Sequence, residues 1–246
     1  MCYKKVLNEV RLNPESAFAK MGFITNVEKE GYDQGGKRSV EIICRDEREQ
    51  IYEWSVENKP GDIYYFPYKN RRLNAQGQNC KGIGHVIVPK GEPDGTIVLS
   101  GGMNGCGLQV NKFDAGNLIF MHDQDSEAIS DEMSRQYFID ENRFGRYLGA
   151  DDLIDPPKIL CRVKKKHYLG PGDLHLKDNF RRAEEKFPGK DTYLAYYPFF
   201  IKVQGIWKLY MSLTGKVCDE KGDIFRYIKG EGVYLPNIYC VTSFEE

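Results

Sequence analysis

No run in this 246-residue chain approaches the roughly 18 consecutive apolar residues that a membrane-crossing helix needs. The opening MCYKKVLNE has no apolar core, so the sequence predicts no secretory signal peptide and a protein soluble where it is translated or exported by a route without a cleaved signal. Charge of one sign is also missing. The formal net charge is −1, which leaves no basic stripe for nucleic acid, and none is expected as a partner. The one basic cluster, Lys164-Lys165-Lys166-His167, reads as a solvated strand end or loop. Metal signatures are absent as well. The seven cysteines are widely spaced with no C-x-x-C, and the four histidines include no H-x-x-x-H. Reduced thiols, no metal and no cofactor are the expectation. No internal repeat or low-complexity tract occurs.

What the chain does have is short runs of Val, Ile, Tyr and Phe between Gly, Pro, Asn and Asp, a pattern of strands. Strands are predicted over 40–44, 51–56, 63–67, 85–89, 96–100, 108–113, 118–122, 159–163, 195–204, 206–213, 224–229 and 234–240, with a hairpin turning at Gly205. Helices are predicted over 14–21, with Asn13 as N-cap and Pro14 first, over 126–138, and over 179–186. The expectation is an α+β fold, with β-rich mixed sheets in a sandwich-like core flanked by a few helices. Residues 1–246 are expected to form one catalytic domain, with a loop or sub-boundary near 151–158.

One stretch carries chemistry. The predicted strand 96–100 runs into Gly101-Gly102-Met103-Asn104-Gly105, and Cys106 follows. Glycines at this density let the backbone turn sharply, present a thiol and leave amides pointing at an anion. Gly102, Asn104 and Gly105 are the candidate oxyanion and turn residues. His122 lies 122 − 106 = 16 positions later. Two strands joined at Asp114-Ala115-Gly116-Asn117 separate the pair, and a hairpin would bring Cys106 and His122 side by side. A histidine there can take the thiol proton and leave the reactive thiolate. The bland alternative is a buried core cysteine near a satisfied histidine. A second pair, Cys80 and His85, has no strand between its members to aim them.

The order strand, Gly-rich turn, Cys, strand, turn, strand, His resembles the glutamine deamidases of the cytotoxic necrotizing factor and Burkholderia lethal factor type, whose core is shared with chemoreceptor glutamine deamidases. The family's "Leu-Ser-Gly-Cys"-like turn is matched by Leu99-Ser100-Gly101, then, after an insertion, by Gly105-Cys106. The match covers residues 96–125. It implies Cys106 as thiol nucleophile and His122 as its partner in a Cys-His dyad, with a hydroxyl orienting the histidine. Ser100 is the first candidate for that role and Thr96 the second, with Asp123 and Asp125 as further candidates. The implied activity is that of a hydrolase. The thiolate opens a Gln carboxamide, ammonia leaves, and water resolves the thioester to Glu, or an amine intercepts it in transglutamination. The resemblance further implies a toxin or virulence effector, made in the bacterial cytoplasm and delivered into the host cytosol. Its partner would be a protein bearing a reactive Gln, such as a host GTPase or a translation factor.

Two other readings differ in class. "VRLNPESAFAKMGF", residues 10–23, resembles in outline the opening arginine motif of ADP-ribosylating toxins, with an Arg near a short strand, then Pro and a helix. The aromatic stretch 192–210 would suit a non-catalytic β-rich interaction module, although two core strands fit it as well.

Overall fold

The structure is a computed structural model that describes residues 3–27, 35–47, 50–67, 72–73, 79–80, 84–103, 105–112, 116–123, 158–168, 181, 185, 188, 192–217 and 237–246. The fold is β-rich α+β. Two helices, α1 (Tyr3–Leu12) and α2 (Pro14–Phe18), precede strands β1 (Gly22–Val27), β2 (Gly36–Asp46), β3 (Ile51–Glu57) and β4 (Ile63–Phe66). A short ribbon follows, β5 (Arg72–Leu73) with β6 (Asn79–Cys80). Next come β7 (Gly84–Val88), β8 (Ile97–Ser100), β9 (Gly107–Lys112), β10 (Leu118–Asp123), β11 (Lys158–Val163) and the single turn α3 (Lys165–Tyr168). The chain closes with β12 (Thr192–Val203), β13 (Ile206–Val217) and β14 (Asn237–Glu245).

These elements form three layers. An eight-stranded sheet of order β1-β3-β2-β4-β8-β12-β13-β14 lies between the helices and a four-stranded sheet of order β11-β9-β10-β7. The large sheet is buried on both faces, so its central strands alternate between two cores rather than between oil and water. In β8, Ile97 and Leu99 join the helix-side core, while Val98 joins the core between the sheets. In β12, Phe199 and Ile201 face the helices and Phe200 faces the small sheet. The helix-side core is aromatic, with Phe18 and Trp54 meeting Phe199 edge-on at 5.0 and 5.1 Å. The inter-sheet core stacks Phe120 against Phe200 and Trp207, at 5.0 and 5.2 Å.

Most predicted strands are present, with shifted ends. The 206–213 run continues to Val217, and the one predicted from Tyr234 to Cys240 is β14, which reaches Glu245. The hairpin at Gly205 closes through Gln204 and Gly205, both at positive φ (52° and 77°), the conformation that a two-residue turn between twisted strands requires. Helix α2 is shorter than the predicted 14–21 because the chain must enter β1 at Gly22. Asn13 caps it as expected, its Oδ1 accepting from the Ser16 N–H at 3.2 Å. We expect Asn13→Ala to lower stability by about 1 kcal/mol in urea unfolding, with the fold unchanged. The predicted elements 126–138 and 224–229, and all but the last residue of the 151–158 stretch, lie outside the described residues. So does most of 179–186, where Arg181 and Glu185 are helical and ion-paired at 2.8 Å. Among the described residues no helix is long and apolar enough to cross a membrane.

Candidate active site

Alternation along β8 sends Ser100 toward the small sheet, on the same side as Val98. Across the gap, β10 sends Leu118, Phe120 and His122 toward the large sheet, with Leu118 and Phe120 in the inter-sheet core. Ser100 Oγ and His122 Nδ1 meet there at 2.7 Å. Both residues are fully buried. The contact therefore spans the two sheets. Ser100 Oγ also donates to the carbonyl of Phe66, the last residue of β4, at 2.9 Å. Thr96, at the other end of β8, gives its hydroxyl to the Pro93 carbonyl at 2.7 Å and takes no part.

These two contacts fix a proton. A carbonyl can only accept, so the single Ser100 hydroxyl proton goes to Phe66 O. Ser100 Oγ then accepts from His122, and the imidazole carries its proton on Nδ1. Nε2 keeps its lone pair, as a base requires. Burial pushes the His122 pKa down to about 3, so the ring is neutral at physiological pH. The Phe66 ring lies edge-on to the imidazole, with centroids 6.3 Å apart.

The hairpin predicted from sequence is present, but its register places Cys106 one step further along. His122 stands opposite Leu108, and Asp123 opposite Gly107. Cys106 precedes Leu108 by two residues and so shares its face. Cys106, Leu108 and Val110 all belong to the inter-sheet core. Cys106 is thus a diagonal neighbour of His122, on the same side of the same sheet. Cys106 is buried in the inter-sheet core at 5% exposure, beside half-buried Gly105.

The glycine turn is anchored at both ends. Met103 exchanges two backbone hydrogen bonds with Tyr196 of β12, at 2.7 and 2.9 Å. Gly105 has φ +100°, a conformation costly for any residue with a Cβ. The Gly105 N–H donates to Tyr168 Oη at 3.0 Å, and Tyr168 Oη donates to the Cys106 carbonyl at 2.8 Å. Gly105 therefore serves the shape of the turn, and its amide is engaged before any oxyanion arrives. Gly102 is half-buried between β8 and the Met103 bridge. Asn104 and Asp125 lie outside the described residues.

The other candidates separate. Cys80 belongs to the β5–β6 ribbon, whereas His85 is on β7 opposite Met121, pointing away from the face that carries Val86 and Val88. Cys161 also lines the inter-sheet core, and burial pushes its thiol up to about 12, leaving it inert at neutral pH. Arg11, expected near a short strand in the ADP-ribosylating outline, stands in the last turn of α1, paired with Asp62 at 2.6 Å. Its helix forms because Val6, Leu7 and Val10 repeat at helical spacing and bury against the large sheet. The aromatic stretch 192–210 supplies core strands, with Phe199, Phe200, Trp207 and Leu209 fully buried. Among the described residues, no three His, Cys, Asp or Glu side chains are grouped to hold a metal ion.

No family model matches this chain, and no curated protein matches it.

Proposed function

We propose that the protein is a cysteine-dependent protein glutamine deamidase working through a Cys106–His122 dyad. The observation that carries this reading is the Ser100–His122 contact of 2.7 Å, which holds a neutral imidazole with its basic nitrogen unprotonated on the face that Cys106 shares. The Gly-rich turn that delivers the thiol supplies the second support.

In the first half of the cycle His122 Nε2 takes the proton of Cys106 Sγ, and the sulfur adds to the side-chain carbonyl carbon of a Gln. The proton then passes from Nε2 to the amide nitrogen, the C–N bond breaks and ammonia leaves, with the acyl group held as a thioester. Water enters, gives a proton to Nε2 and adds to the same carbon. The C–S bond breaks, the sulfur recovers the proton, and Glu is released. Every proton in this cycle is carried by the dyad itself. A primary amine in place of water gives transglutamination.

The substrate class is a protein with an accessible Gln, and we propose a host regulatory GTPase or translation factor, reached by an effector made in a bacterium. Mass spectrometry tests this directly. Proteins from cells expressing the wild type should contain a Gln-to-Glu conversion, a gain of about 1 Da, that is missing in cells expressing Cys106→Ser. An identical proteome in the two would remove the proposal.

Ser100→Ala isolates the orienting hydroxyl. It leaves the His122 N–H and the Phe66 carbonyl buried without Ser100, so we expect a loss of about 1–3 kcal/mol in stability. Activity should fall by roughly 10- to 100-fold, the usual cost of losing the group that orients a functional histidine. Unfolding curves and the rate of ammonia release read the two effects separately.

A further inference from the structure

The turn that carries Cys106 has a partner that the pattern of the sequence did not reveal. Between the Met103 bridge and the start of β9 at Gly107 lie three residues, Asn104, Gly105 and Cys106. Tyr168 grips this short stretch with a single oxygen. It accepts from Gly105 N at 3.0 Å and donates to Cys106 O at 2.8 Å. Those atoms belong to the peptide units on the outer sides of Gly105 and Cys106. Holding both outer units restricts the torsions of Gly105 and Cys106, and with them the direction of the Cys106 Cα–Cβ bond.

The grip itself is buried. Tyr168 is 1% exposed, and its ring packs on that of Tyr196 at 4.9 Å, the same residue whose backbone anchors Met103. It ends α3, which follows β11 after a single residue, and β11 is laddered to β9 with Val163 opposite Leu108. The α3 turn is closed by reciprocal contacts: Lys164 N–H donates to His167 Nδ1 at 3.0 Å, and His167 N–H to Lys164 O at 2.9 Å. Thus the sheet that carries His122 also carries, through β11, the phenol that holds the cysteine.

We propose that Tyr168 is a positioning residue of the active site, its hydroxyl aiming Cys106 Sγ at His122. This rests on the dyad proposed above. The hydroxyl acts through the backbone and touches no substrate, so its loss should reduce the reactivity of the thiol while leaving the fold and the basic nitrogen of His122 in place.

The test is alkylation by iodoacetamide across pH 5–9, following Cys106 and, as internal reference, the exposed Cys240 by peptide mass spectrometry. In the wild type Cys106, with His122 as general base, should react faster than Cys240 at neutral pH, and His122→Asn should abolish this. Tyr168→Phe keeps the ring and removes the oxygen. We expect it to stay folded by circular dichroism, to slow Cys106 roughly tenfold or more at neutral pH and to move its pH profile toward that of an ordinary thiol, with Cys240 unchanged. Placing 4-aminophenylalanine at position 168 retains a weaker donor and acceptor and should give an intermediate rate. If Tyr168→Phe melts, the amino variant decides the matter. Wild-type rate and profile in Tyr168→Phe, or in the amino variant where Phe does not fold, overturn the positioning role. A wild-type Cys106 no faster than Cys240 and indifferent to His122→Asn is a separate outcome, and it overturns the dyad itself.

Discussion

If the proposed dyad is right, Cys106→Ser and His122→Asn should each lower glutamine deamidation by roughly a thousandfold or more, with the fold retained. The size follows from what each residue contributes. Serine keeps the shape of the side chain but not a nucleophile that one imidazole can deprotonate. An asparagine in place of His122 has no lone-pair nitrogen to take a proton. Residues acting as one unit give non-additive losses, so the double variant should be no slower than the worse single one. The choice of asparagine is deliberate. Its amide N–H sits where the imidazole Nδ1–H sat and can still donate to Ser100 Oγ, so the bridge between the sheets survives. The assay is ammonia release together with the mass gain on Gln, using purified variants checked by circular dichroism. Full activity in either single variant ends the mechanism.

The second large effect is on stability. His122 has a folded-state pKa of about 3 against an ordinary 6.5, because burial disfavours its charged form. In the pH window between those values the unfolded chain binds a proton that the native chain excludes. The stabilisation is therefore complete above pH 6.5 and is lost as pH falls through that window toward 3. At about 1.4 kcal/mol per pH unit, the loss from this one group approaches roughly 4–5 kcal/mol near pH 3. Comparing urea unfolding of the wild type and His122→Asn from about pH 7 to about pH 4 should show the two stabilities converging by about 3 kcal/mol, since the asparagine amide does not titrate. Parallel curves would mean that the imidazole is not held neutral in the core.

Local geometry is legible in the sequence where neighbours in space are neighbours along the chain. The 108–122 hairpin, the turn at Gly205 and the Asn13 cap all follow from periodicity and turn chemistry. Even the Ser100 hydroxyl is indicated, by its place in a resembling motif, although its second partner, the Phe66 carbonyl, lies on a strand 34 residues away. What cannot be read is set by pairing over long separations. The parallel contacts of β1 with β3 and of β4 with β8 have no sequence signature of their own. Tyr168 lies 62 residues beyond Cys106 and reaches it through the β11–β9 ladder, so no spacing rule finds it. Helix α1 is different. Its signal, Val6, Leu7 and Val10 on one face, is present in the sequence, but three apolar positions among charged neighbours make a short stripe that only packing against the large sheet turns into a helix.

The bond between Ser100 and His122 joins strands from separate sheets, so the proposed dyad needs both sheets in place. With only the β9–β10 hairpin formed, the imidazole has no hydroxyl to choose its tautomer and is free to charge. In an extended thread the proposed dyad would thus be apart, and closure of the sandwich would bring it together. Assembly of the proposed dyad would then be tied to the connectivity of the fold.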